Sequence, residues 1–190
     1  MPDIVNHGVL NIDFEKFMDV VNNTTQEKTD LYQRTSDYHE GQAQKNNHVQ
    51  AIEEQCETWY KDSAYSFWIK NDRLADLLGD DFYDKFDIKK ETIDINVYKF
   101  EPGQFTPPHQ DTLGGSIKKL QTTPENVRKL WVALSQPEFG HAFFIGDQVF
   151  YNVPQGTIVE ASFTNTWHSG VNAGFKDRYI LAILGVKNGQ

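Results

Sequence analysis

What the 190-residue chain has little of narrows the field first. It holds one cysteine, Cys56, and two methionines. A lone thiol cannot close an internal disulfide, which suits a reducing cytosol. Basic residues are scarce: 18 Lys and Arg against 27 Asp and Glu leave a formal charge of −9. Tracking a phosphate backbone needs clustered cations, so nucleic acid is not expected as a partner. The same balance mildly favours a neutral or cationic substrate. Long apolar runs are missing: Tyr179–Val186 is the longest, far short of the roughly 20 residues that cross a bilayer. The opening MPDIVNHGVL lacks the basic flank and apolar stretch of a signal peptide. The expectation is a cytoplasmic protein with no membrane partner; no sequence feature speaks to oligomeric state. Neither G-x-S-x-G, G-x-G-x-x-G nor G-x-x-x-x-G-K-[ST] occurs, which leaves a hydrolase elbow and the usual nucleotide loops unsupported.

What remains is enough to build a core: 38% hydrophobic and 13% aromatic residues read as one globular domain over residues 1–190. Texture divides it near residue 90. Residues 1–90 read as mainly helical support. Asp13 is placed to cap a helix over Phe14–Val21, a second helix fits Asn47–Tyr60, and a third fits Arg73–Phe86. The polar stretch Asn22–Asn46 reads as a solvated helix or a long loop. Residues 91–190 read as the β core. Ile93, Ile95, Val97 and Lys99 fall on one face of a strand, with Asn96, Tyr98 and Phe100 on the other. Later candidates are Lys129–Ser135, His141–Ile145, Gln148–Asn152, Thr157–Ala161, Trp167–Asn172 and Arg178–Val186. Gly146-Asp147 and Pro154-Gln155-Gly156 punctuate them as turns. Many short strands at close spacing imply an antiparallel sandwich or barrel with helices packed outside it.

Chemistry concentrates in Pro107-Pro108-His109-Gln110-Asp111. In an extended strand residues i and i+2 share a face, so His109 and Asp111 can reach one metal while Gln110 faces away. A second histidine, His168, lies 59 positions later in Thr166-Trp167-His168-Ser169-Gly170. Two imidazoles and a carboxylate make a facial triad with open positions opposite. Each piece also has a plain reading: the H-x-D pair as a hydrogen-bonded strand end, His168 as a packed or surface histidine. Arg178 opens the last apolar strand. A guanidinium there needs an anion if covered, or is a strand-edge arginine paired with Asp177 or Glu160. Cys56 reads as inert, and His7, His39, His48 and His141 have no ligand spacing.

Taken in order, Tyr98-x-x-x-Pro102-Gly103-x-x-x-x-Pro108-His109-x-Asp111, then His168-Ser169-Gly170-Val171-Asn172, then Arg178, resembles the 2-oxoglutarate/Fe(II)-dependent oxygenase superfamily, most nearly its prolyl-hydroxylase and aspartyl-hydroxylase-like branches. The likeness covers roughly residues 93–186; the first half matches no family. It implies an α+β chain with a double-stranded β-helix (jelly-roll, cupin-like) core and N-terminal helices outside. It implies His109, Asp111 and His168 as catalytic iron ligands and Arg178 as the cosubstrate anchor. Tyr98 would add a cosubstrate-binding hydroxyl, against its plain reading as a core tyrosine. Fe(II), 2-oxoglutarate and O2 would be the cofactor and cosubstrates. The reaction implied is hydroxylation of a peptidyl or amino-acid C–H bond, proline for example, with succinate and CO2 as co-products. Related halogenases replace the carboxylate ligand by a small residue, so Asp111 points to hydroxylation. Many relatives carry a serine two residues after the arginine; Ile180 stands there, and Tyr98 is the first candidate to replace it. Arg128 or Lys129 would lead a strand facing the site. Residues 112–126 suggest a lid over it or, equally, a plain connector. The substrate, small-molecule or peptidyl, is not readable. Two other classes compete. One is a non-catalytic cupin-like module holding a metal or small ligand. The other is a partner-binding protein using Trp59, Tyr60, Tyr65, Phe67 and Trp68.

Overall fold

A computed structural model describes residues 4–30, 63–111, 114–161 and 166–189. Two antiparallel sheets face each other. The larger is built from β1 (Ile4–Val9), β2 (Gln26–Asp30), β3 (Tyr65–Ile69), β4 (Ile88–Phe100), β5 (Val127–Ala133), β8 (Thr157–Ala161) and β10 (Arg178–Lys187). Its order is β1-β8-β5-β10-β4-β3-β2. The smaller sheet runs β7-β6-β9, from β6 (His141–Ile145), β7 (Gln148–Tyr151) and β9 (His168–Asn172).

Strand parity builds the layers. One face of β4, β5 and β10 carries Ile95, Val97, Leu130, Val132, Leu181 and Ile183, which join a single apolar cluster with residues from the helices. Those helices are α1 (Phe14–Asn22), α2 (Arg73–Asp76) and α3 (Asp80–Phe86). Asp13 caps α1 by accepting from the Lys16 amide at 3.0 Å, and Phe17 and Val21 are fully covered. The opposite face meets the smaller sheet through Trp131, Phe143, Ile145, Val159 and Ile180. Gly185 is side-chain-free for a reason: a Cβ there would stand 2.3 Å from the Ile88 side chain.

The β half matches expectation closely, and β4 begins at Ile88, earlier than its alternation suggested. Besides the three helices, the described part of the first half supplies β1, β2 and β3 to the large sheet, which the expectation of mainly helical support did not include. Gln26–Asp30 is too polar for a periodicity signal, and the aromatic Tyr65–Ile69 run forms a strand between β2 and β4. The single helix expected over Arg73–Phe86 is two, broken at Gly79, whose φ of +75° a side chain resists. The helix expected over Asn47–Tyr60 lies outside the described residues, as do Trp59 and Tyr60. Residues 114–120 form a helix, α4 (Gly114–Leu120), within the span read as a lid or a connector. Among the described residues no helix is long and apolar enough to cross a membrane.

Candidate metal centre

His109, Asp111 and His168 come together. One ligating atom from each lies within 4.8 Å of the others. His109 Nε2 is 3.6 Å from Asp111 Oδ1, and His168 Nε2 is 3.4 Å from Asp111 Oδ2. Bonds of about 2.1 Å to N and O ligands place neighbouring donors of one ion at spacings of this order.

The backbone explains the meeting. Residues 107–111 are not a regular strand; His109 makes an isolated antiparallel bridge with His168. The His109 amide donates to the His168 carbonyl at 3.1 Å, and the His168 amide donates back at 3.0 Å. Such a pair sits directly opposite, and the ring centroids are 4.2 Å apart. Thr106 extends the attachment by donating its amide to the Gly170 carbonyl at 2.8 Å.

Both imidazoles are oriented the same way. His109 Nδ1 faces the Pro107 carbonyl at 2.8 Å, and His168 Nδ1 faces the Thr166 carbonyl at 2.9 Å. A carbonyl only accepts, so each Nδ1 carries the proton and each Nε2 presents its lone pair toward Asp111. Burial, aided by the charges of Lys129 and His109, pushes the His168 imidazole well below its ordinary pKa. A neutral ring is the form that ligates a metal.

The triad opens on a cavity of about 520 Å³, a size usual for small-ligand sites. Trp68, Tyr98, Trp131 and Phe143 line it, and Gln110, expected to face away, reaches it too. Trp131 lies 5.1 Å from the His168 ring, centroid to centroid. Tyr98 meets Trp68 edge-on at 5.3 Å. Lys129 is buried, lines the cavity and makes an ion pair with Asp111; burial pushes its ammonium well below the ordinary lysine value. Trp131 was missed from sequence, although it follows Lys129 by two on one strand and so shares its face. Arg128 turns the other way, where Glu160 takes Nη1 at 2.8 and 2.9 Å. Across the cavity Asp94 accepts from Ser116 Oγ at 2.6 Å and Lys119 Nζ at 2.8 Å, tying α4 to β4.

Arg178 is not a strand-edge residue. It is 6% exposed, and neither Asp177 nor Glu160 meets it: Asp177 pairs with Lys99. Its guanidinium lies over Phe100 and against Gly170, where a Cβ would stand 2.9 Å from Nη1. Nη1 is buried without a hydrogen-bond partner, and burial pushes the group down to about 9. Arg178 does not line the cavity beside the triad; it borders a smaller one of about 40 Å³, with Trp131, Phe143 and Ile180 shared between the two.

No protein-family profile matches the chain, and no curated protein does. Solved structures do. An oxidoreductase of the 2OG-Fe(II) oxygenase family from Burkholderia pseudomallei superposes with a TM-score of 0.53 at 13% identity, over 93% of this chain and 81% of that one. A double-stranded β-helix protein from Klebsiella pneumoniae aligns over 52% of this chain and 70% of its own, at 14% identity and TM-score 0.34. A predicted oxalate decarboxylase from Thermotoga maritima aligns over 65% and 82%, at 14% identity and TM-score 0.36. The chain has the double-stranded β-helix of the cupin fold, with helices packed on the outer face of its larger sheet.

Proposed function

We propose that this protein is a 2-oxoglutarate- and Fe(II)-dependent dioxygenase that hydroxylates a C–H bond of an amino acid or peptide, in the manner of the prolyl- and aspartyl-hydroxylase-like enzymes. The observation carrying this reading is the His109–Asp111–His168 cluster, with each Nδ1 fixed on a backbone carbonyl and each Nε2 turned inward. That donor set suits a non-haem iron site with open positions. The residues also fit the cosubstrate. Arg178 offers a buried, unpartnered Nη1 beside Gly170, two residues along β9 from His168, or about 6.6 Å of strand. A short dicarboxylate chelated at the triad would find its counter-ion there, and Tyr98, two pairs along β4 from the Arg178–Phe100 pair, flanks that path.

Iron with 2-oxoglutarate supplies the oxidising power: one O2 ends as one oxygen in succinate and one in the hydroxylated product, with CO2 released. The chain's own part is positional. The neutral imidazoles and Asp111 hold the ion, Arg178 fixes the cosubstrate, and Trp131 and Phe143 keep water from the space beside His168.

The test is anaerobic Fe(II) titration followed by 2-oxoglutarate-dependent O2 uptake and succinate formation. His168→Ala should weaken iron binding by at least about a hundredfold, since outer partners of such ligands are alone worth 10–100-fold. Iron binding unchanged in His168→Ala would refute the centre. Iron binding without any cosubstrate turnover would favour a cupin-like ligand-holding module instead.

A further inference from the structure

Among the described residues two cationic side chains are buried inside the barrel, Lys129 and Arg178, at 5% and 6% exposure. They stand far apart on one sheet. Arg178 pairs with Phe100, while Leu184, six residues further along β10, pairs with Lys129; that is about 20 Å of strand. The triad lies between them in a particular sense. Gly170, two residues from His168, rests on Arg178, and Asp111 meets Lys129. A cosubstrate running from the triad to Arg178 therefore leads away from Lys129.

Lys129 depends on Asp111, its one ion-pair partner among the described residues. On the reading proposed above, Asp111 also serves a divalent ion, and its single charge cannot compensate both. Among the described residues the other acid lining the cavity, Asp94, already has one oxygen on Ser116 and the other on Lys119. Lys70 and Lys119 add further positive charge to the same wall. A buried ammonium left without a counter-ion is disfavoured against the neutral amine, and an anion entering the cavity from outside the chain would hold Lys129 in its charged form. We propose that the primary substrate brings it. The substrate is a small carboxylate whose anionic group pairs with Lys129 and whose apolar part lies against Trp131 and Phe143. This reverses the expectation of a neutral or cationic substrate drawn from the net charge of −9. The interior of the site carries the opposite sign from the chain as a whole.

The inference rests on the iron and 2-oxoglutarate reading, and one experiment separates the two. The protein is loaded anaerobically with Mn(II) and saturating 2-oxoglutarate. Binding of benzoate and of its neutral isostere benzamide is then read from paramagnetic relaxation of the probe protons. Benzoate should bind about tenfold more tightly or better, the worth of a charge-assisted hydrogen bond. Lys129→Met should erase the preference and leave 2-oxoglutarate affinity within about threefold, whereas Lys129→Arg should keep the preference. Equal binding of the two probes to a wild-type protein that takes up Mn(II) and 2-oxoglutarate normally overturns this inference alone, and needs no variant to fold. Competition between benzoate and 2-oxoglutarate, or a Lys129→Met variant that loses 2-oxoglutarate, also overturns it. In those cases Lys129 belongs to the cosubstrate. Failure of Mn(II) to bind at all overturns the underlying reading as well.

Discussion

The two sheets divide the work of the molecule. In the larger one β4, β5 and β10 are covered on both faces. Leu130, Val132, Leu181 and Ile183 sit in a continuous apolar cluster under the helices, and Trp131 and Ile180 lie on the inner side. The smaller sheet has little of this. Phe144, Val149 and Tyr151 on its outside are 41%, 58% and 51% exposed, and its buried residues include His141, His168, Ser169 and Asn172. Polar side chains replace apolar burial as its fastening: Asn172 donates to the Phe100 and Lys176 carbonyls at 2.8 and 2.9 Å and accepts from the Gly174 amide at 3.0 Å. The large sheet holds the fold and the small one presents a ligand.

That division can be broken from either side. Leu181 is fully buried at the centre of the large sheet, and Leu181→Ala should cost about 2–5 kcal/mol of stability with iron affinity unchanged in the folded protein. Urea denaturation and Fe(II) titration on the same sample check both halves of the claim; an iron affinity that fell in step with stability would mean the sheets are not separable. Gly170→Ala, on the small sheet, should do the reverse. Its new methyl meets Arg178 Nη1 at 2.9 Å and Thr106 Oγ1 at 3.3 Å. The tip of a flexible arginine can yield at a cost of under about 1 kcal/mol, below the usual range for overpacking a rigid core. The guanidinium has nonetheless moved, and 2-oxoglutarate affinity should fall about tenfold, the size of one charge-assisted contact. Calorimetric titration giving wild-type affinity would remove Arg178 from the anchor role.

The sequence made the small sheet's chemistry easier to see than the large sheet's edges. The i and i+2 spacing of His109 and Asp111 was readable, yet it pointed to a strand that does not form. The backbone bridge that joins His109 to His168 crosses 59 positions, and no local pattern announces it. Two readings of Arg178 stand open in the sequence, a covered cation needing an anion and a strand-edge arginine, and only packing against Phe100 and Gly170 decides that it is covered. The neighbours Arg128 and Lys129 could not both face inward on a strand. Parity with Trp131 selects Lys129, and Glu160 claims Arg128. The missed strands failed for different reasons. Gln26–Asp30 has no apolar residue to alternate. Ile4–Val9 holds only three, and its pairing partner β8 lies some 150 positions away, about the whole length of a domain and beyond any window of periodicity.

The smallest expected effect concerns the one carboxylate on the large sheet's inner face that is held by α4. Burial pushes the Asp94 carboxyl up, but hydrogen bonds from Lys119 and Ser116, with the charges of Lys119 and Lys70, outweigh it and hold the group below its ordinary 3.8. A carboxyl lowered on folding contributes stability that is complete above its unfolded value and fades as pH falls toward the folded one. Asp94→Asn should therefore cost stability at pH 7, by about 1 kcal/mol once the exposure of Lys119 is allowed for. The same substitution should cost progressively less below about pH 4, where wild-type Asp94 takes up a proton of its own. Urea midpoints of both proteins between pH 7 and pH 3 test this: the two curves should converge on the acid side, and a gap that stays constant would mean that the Asp94 charge does not hold α4 to the sheet. Because Ile117 and Leu120 of α4 also pack on Leu184 and Val186, the helix should remain docked in the variant. The change should then appear as a shift of the acid limb, with the wild-type fold retained.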